Sequence, residues 1–168
     1  MDDIIQTSSM GFKETEMING VVFKDLVTNL DERGFFREVI RGTDEFFAEG
    51  FAQWSHSLMF DGVIKAWHLH RVQTDWWYVG TGVLRVGLCD MRPESSTYKK
   101  TMDFLMGELQ PVRVLKIPPG VAHGCKTVQG PVNLFYLTSH VYNPEDEIRL
   151  PYNDPAIKFD WLKGPPFK

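Results

Sequence analysis

Short apolar and aromatic segments alternate with polar, turn-forming residues along most of this chain. Val21–Val27, Trp76–Val79, Val83–Cys89, Arg113–Ile117 and Val132–Thr138 are rich in the β-branched and aromatic residues that suit a pleated surface. In the third segment Val83, Arg85 and Gly87 fall on one side of a period of two, and Leu84, Val86 and Leu88 on the other. That is the pattern of a strand with two differently solvated faces. Asn19-Gly20, Arg33-Gly34, Asp61-Gly62, Gly80 to Gly82, Pro118 to Gly120 and Gly130-Pro131 punctuate the segments and read as turns. One helix is predicted, over Thr43–Phe51, with Thr43 as its cap and Phe46 and Phe47 on one side. Asp160–Lys168 reads as a tail without regular structure. Many short strands and almost no helix predict an all-β sandwich or barrel.

Composition narrows the class. A chain of 168 residues suits one compact domain, taken here as residues 1–168, and 43% hydrophobic with 24% charged residues is ordinary for a globular protein. The net charge of -4 argues against a nucleic-acid surface, which needs clustered Lys and Arg. No apolar run approaches the roughly 20 residues that span a bilayer. The opening MDDIIQTSSMGF starts with two acids and lacks the apolar core of a secretory signal. Cys89 and Cys125 are too few for a disulfide framework, and a reduced, cytoplasmic protein is expected. The 13% aromatic content fits either a ring-lined cavity or a well-packed β core.

The candidate chemistry lies in the stretch Trp67-His68-Leu69-His70-Arg71-Val72-Gln73-Thr74-Asp75. Residues two apart in a strand share a face, so His68 and His70 can reach one point. With Asp75, and with His123 in Pro118-Pro119-Gly120-Val121-Ala122-His123, the spacing resembles the two-part signature of metal-binding cupins. Three imidazoles and a carboxylate suit a borderline divalent ion with open positions. That signature usually carries Glu where this chain has Asp75. The alternative is a catalytic histidine working without metal.

A second resemblance extends from about residue 20 to residue 161. Asp31-Glu32-Arg33-Gly34-Phe35-Phe36-Arg37-Glu38, Gln53-Trp54-Ser55-His56-Ser57 and Gly62-Val63-Ile64-Lys65-Ala66-Trp67-His68 are three of its segments. Asp90-Met91-Arg92-Pro93-Glu94-Ser95-Ser96-Thr97-Tyr98 and Ile117 to Gly124 are two more. Tyr136 to Tyr142 followed by Pro144, Glu145 and Glu147, then Asn153-Asp154-Pro155 and Trp161, complete the series. In this order they resemble the dTDP-4-dehydrorhamnose 3,5-epimerases, RmlC-like cupins that use no metal. The resemblance implies a double-stranded β-helix, or jelly roll, forming a homodimer by exchange of N-terminal strands. It implies a nucleotide-sugar substrate, no cofactor, and epimerisation by proton abstraction next to a ketone. His68 matches the family's base and Tyr142 its opposing acid. Histidine suits the first role because its pKa lies near neutrality. His123 and Tyr136 match pocket-lining positions. Arg33 and Lys65 match positions contacting phosphate and sugar, and Glu38 and Gln53 match positions near the nucleotide base. Arg92 lies in a matching segment, and Phe36 is one ring able to stack on the base.

Two departures stand out. The family carries a lysine that helps stabilise the enolate seven residues before the glycine matching Gly82, and here that position is Asp75. A carboxylate has the wrong sign for that role. The family also orients its histidine with a C-terminal aspartate in a Ser-x-Lys-Asp segment, and no such segment occurs up to Lys168. Asp75 is then the candidate to orient His68 or His70. Two other classes compete with the epimerase. One is a metal cupin, isomerase or oxygenase, with His68, His70, Asp75 and His123 as ligands. The other is a sugar-nucleotide binding cupin without catalysis.

Overall fold

A computed structural model describes residues 16–108 and 110–164. The ten strands are β1 Val22–Asp25, β2 Asn29–Asp31, β3 Gly34–Phe36, β4 Gln53–Met59, β5 Ile64–His70, β6 Asp75–Asp90, β7 Thr101–Gly107, β8 Arg113–Ile117, β9 Val121–Thr138 and β10 Glu147–Arg149. The long strands β6 and β9 run antiparallel from Asp75 opposite Thr138 to Asp90 opposite Val121. Their outer neighbours change along the way. β6 pairs with β8 over Asp75–Tyr78 and with β7 over Val83–Cys89, while β9 pairs with β4 over Val132–Thr138 and with β5 over His123–Lys126. One sheet thereby folds into two halves, the arrangement of a jelly roll. β1, β4, β7 and β10 each have one partner and form its edges, and β2–β3 is a separate hairpin. Residues 1–15 and 165–168, including the opening acidic stretch, lie outside the description.

Two of the expected turns are bends inside strands. The β6–β9 register shifts between Val79 and Leu84, and Gly130-Pro131 falls within β9. At Gly82 φ is +79°, and a Cβ there would lie 2.6 Å from the carbonyl oxygen of Gln129. Glycine lets the two strands turn the corner together without leaving the ladder. Gly20, Gly62 and Gly120, also at positive φ, do mark turns.

The helix expected over Thr43–Phe51 is a single 3-10 turn, Glu45–Phe47, with Asp44 rather than Thr43 at its N-cap. Tertiary packing overrides the local pattern: Phe46 and Phe47 are both buried, Trp76 donates its indole N–H to the Phe46 carbonyl at 3.1 Å, and Phe47 packs edge-on against Trp76.

Val83–Cys89 is also not half-solvated. Leu84, Val86 and Leu88 enter the main apolar core, and Arg85 on the other face is only 2% exposed. The C-terminal segment covers that second face. Arg85 pairs with Asp103, donates to the carbonyls of Asp160 and Lys163, and lies 4.9 Å from the Phe159 ring. Asp160–Gly164 has no strand or helix, as expected, yet Trp161 is fully buried. Gly87 and Gly124 make room for it, since a Cβ on either would meet its ring at 2.8 and 3.0 Å respectively.

Candidate active site

A cavity of about 290 Å³ opens between the strands. His68 and His70 reach it from β5, Asp75 and Trp77 from the start of β6, and His123, Cys125 and Tyr136 from β9. Tyr142 joins from the β9–β10 connection and Glu147 from β10. Lys65 and His68 are three apart, and strict alternation would send them to opposite faces. A register shift in β5 between these two residues puts both in the cavity.

His68 Nδ1 lies 2.7 Å from Oε1 of Glu147. A carboxylate only accepts, so Nδ1 donates to it and leaves Nε2 at the other edge of the ring. Burial works to raise the Glu147 pKa, but hydrogen bonds from Arg149 and His68 outweigh it and hold the carboxyl below the usual range. His123 donates Nδ1–H to the carbonyl of Val121 at 3.1 Å. Burial lowers its pKa to about 4, against the pull of Asp75, so this ring is neutral at pH 7. Asp75 accepts from Gln73 Nε2 at 2.7 Å and from the Trp77 indole at 3.2 Å. Burial also drives the Cys125 thiol up to about 12, which keeps it protonated and unreactive.

A histidine held by a carboxylate, in a polar and aromatic cavity that also contains a tyrosine, is equipped to move a proton. The sequence model for dTDP-4-dehydrorhamnose 3,5-epimerase matches residues 15–167. The chain belongs to the dTDP-4-dehydrorhamnose 3,5-epimerase family. The spore coat polysaccharide biosynthesis protein SpsL of Bacillus subtilis is 44% identical over 86% of this chain and 97% of its own. The probable low-salt glycan biosynthesis epimerase Agl13 of Haloferax volcanii is 34% identical over 86% and 94%. Among solved structures, a dTDP sugar isomerase from Desulfovibrio desulfuricans superposes with a TM-score of 0.81 at 25% identity, covering 88% of this chain and 94% of that one. The jelly roll is therefore that of the RmlC-like cupins, and the reaction class is isomerisation of a nucleotide-linked sugar.

Of the positions expected from the sequence, His68, Tyr142, Asp75, Gln53, Lys65, His123 and Tyr136 all line the cavity. Gln53 also shapes it, since its Oε1 accepts the backbone N–H of Tyr142 at 3.0 Å. Lys65 donates to Ser57 Oγ at 2.7 Å. Arg33 and Glu38 do not line it. Arg33 sits on the β2–β3 hairpin paired with Asp31, and Glu38 pairs with Arg41. That hairpin has no ladder to the main sheet, and Arg33 is not among the residues that line the cavity. Arg92 is structural. Asp90 is wholly buried and accepts from the Arg92 guanidinium, Ser95 Oγ and Thr97 Oγ1, which fastens the loop that its motif encodes. The expectation that Asp75 orients His68 is also corrected, because Glu147 does so. Asp75 meets His70 only through the Gln73 amide, which contacts His70 Nε2 at 3.2 Å. Glu147 was visible in the Tyr-x-Pro-x-x-Glu match. Its partner was not, because the contact forms across strands distant in sequence.

Proposed function

We propose that this epimerase inverts a carbon next to the ketone of a nucleotide-activated 4-keto-6-deoxysugar, at C3, C5 or both, with His68 as base and Tyr142 as acid. The observation carrying this reading is the hydrogen bond from His68 Nδ1 to Glu147 in the cavity that also contains Tyr142. His68 Nε2 takes the proton from the carbon beside the carbonyl, and the bonding pair moves to the ketone oxygen as an enolate. Tyr142 then delivers its phenolic proton to the opposite face, and solvent resets both groups by taking the proton from His68 and returning one to Tyr142. Lys65 and Arg149 are the cations at the cavity wall, placed for the enolate oxygen or a phosphate. A relative 26% identical, from Legionella pneumophila, was solved in complex with dTDP-4-keto-L-rhamnose and superposes with a TM-score of 0.75.

The active assembly in this proposal is a homodimer in which the hairpin of one copy brings Arg33, with Glu38 beyond it, to the cavity of the other. Arg33 is 81% exposed, Phe35 and Phe36 on the same hairpin are over half exposed, and Trp54 and Leu58 project from β4. Surface apolar groups concentrated in this way mark an interface. A second, apolar cavity of about 370 Å³ between Trp54, Tyr78 and Ile40 adjoins them. We place the enzyme in the cytoplasm as one domain over residues 1–168, without nucleic-acid partners. Both cysteines are free and buried, and no described helix is long and apolar enough to cross a membrane.

The test is exchange. In deuterium oxide, a dTDP-4-keto-6-deoxyhexose incubated with the enzyme takes up deuterium beside the ketone, read by proton NMR, and His68→Asn stops it. Absence of exchange with the unaltered enzyme supports a binding cupin instead, and exchange undiminished in His68→Asn removes the assigned base.

A further inference from the structure

We propose that Nε2 of His70, Nε2 of His123 and a carboxylate oxygen of Asp75 form a site for one divalent transition-metal ion of the zinc or cobalt class, deeper in the cavity than His68. One ligand atom from each of the three residues lies within 4.8 Å of the other two. Bonds of about 2.1 Å to a single ion need ligand atoms roughly 3 to 4 Å apart, so side-chain shifts of about 1 Å suffice.

Three features point to a ligand rather than to packing alone. Each imidazole has an acceptor behind its Nδ1, hydrogen-bonded at His123 and only near at His70. His123 Nδ1 donates to the Val121 carbonyl, and His70 Nδ1 faces Asp146 Oδ2 at 3.5 Å. Asp146 is itself fixed by the backbone N–H groups of Arg71, Val72 and Gln73. An outer carbonyl or carboxylate on one nitrogen, with the other nitrogen turned inward, is how metal-binding histidines are oriented. Asp75 is 4% exposed and has no Lys or Arg partner among the described residues; it faces the neutral His123 ring, with Nε2 at 3.7 Å. Buried carboxylates are paired with cations or hold metals. Finally, the Gln73 amide contacts both Asp75 Oδ1 and His70 Nε2, so a single donor group now occupies the direction in which these lone pairs converge. His68 is outside the set because the ligand atoms that cluster within 4.8 Å are those of His70, Asp75 and His123 alone. The His68 ring stacks 6.1 Å from that of His123, so an ion here would put positive charge beside the proposed base.

The site rests on this geometry and not on the epimerase chemistry, so the two fail separately. Untagged full-length protein is stripped with chelator and titrated with cobalt(II), following the visible d–d absorption. Elemental analysis after dialysis against zinc then counts the bound ions. One ion per chain is expected, with affinity reduced at least about 100-fold in Asp75→Asn and His70→Ala, retained in His68→Ala and increased in Gln73→Ala. Asp75→Asn preserves shape, and circular dichroism verifies that each variant is folded. The site is overturned if no ion is retained, if retention survives Asp75→Asn, or if His68→Ala abolishes it. Deuterium exchange by His68→Asn tests the base independently of all these outcomes.

Discussion

Glu147 holds His68 from the neighbouring strand. β10 pairs with β5 so that Glu147 stands opposite His70 and Arg149 opposite His68, and the Glu147 side chain reaches the diagonal histidine at 2.7 Å. In the proposed mechanism the carboxylate fixes the tautomer and stabilises the imidazolium that forms when His68 takes a proton. Glu147→Gln keeps an acceptor but removes the charge. We expect kcat to fall about 10- to 100-fold with a smaller change in KM and an unchanged fold. Steady-state kinetics beside a thermal melt checks this, and full turnover in the variant would remove Glu147 from the mechanism.

Tyr142 separates exchange from inversion. If His68 alone abstracts the proton, its imidazolium can trade that proton with solvent and return a deuteron to the same face. Tyr142→Phe should therefore still wash deuterium into the ketosugar while forming the inverted product at least about 100-fold more slowly. NMR reports both quantities in one sample. Inversion at the normal rate would assign the acid to another group.

The sequence revealed most of this cavity because its residues fall in local motifs on strands of recognisable composition. Arg113–Ile117 is a strand to the residue, and His68 and His70 share a face as a period of two requires. Long-range relations were hidden. Nothing local shows that Gly80–Gly82 bends a 16-residue strand instead of ending it, because a glycine pair serves a corner and a turn equally. Trp161 looked like part of a tail, and its burial depends on space left by Gly87 and Gly124. Arg33 matches a binding motif, yet it does not line the cavity.

Two buried groups set the acid limit of stability. Burial lowers the His123 pKa to about 4, below its ordinary 6.5. Between those values the unfolded chain binds the proton and the folded one does not, so stability falls as pH drops from about 6.5 toward 4. Burial alone would raise the Asp90 pKa, but hydrogen bonds from Arg92, Ser95 and Thr97 depress it well below 3.8. Its contribution is complete above the unfolded value and is lost as pH falls from there toward the folded one. In chelator-treated protein, melting temperature should decline across the first window, and His123→Gln should flatten that decline. Asp90→Asn should cost about 3 kcal/mol at pH 7, because it leaves Arg92 without its buried partner. A melting profile of the unaltered protein that is level from pH 7 to 4 would contradict the His123 assignment.

The hairpin makes a prediction that only a dimer can satisfy. Arg33→Ala and His68→Asn are each expected to lose most activity, the first through weakened substrate binding and the second through loss of the base. If Arg33 acts in the cavity of the partner, mixing the two variants under conditions that exchange subunits creates mixed dimers. In these, one cavity combines an intact His68 with an intact Arg33 from the other chain. About half of the dimers formed by random exchange of equal amounts are mixed, and each has one working site of two, so roughly a quarter of normal activity should return. If Arg33 served its own chain, every cavity in the mixture would lack one of the two residues and no activity would return. A companion variant, Trp54→Glu, charges the apolar face of β4, where the side chain is 69% exposed, and should shift the protein toward monomer in sedimentation. Recovery in the mixture together with dissociation of Trp54→Glu would place the second copy in the active site. A mixture as inactive as its components would confine the chemistry to one chain and leave the hairpin without a catalytic role.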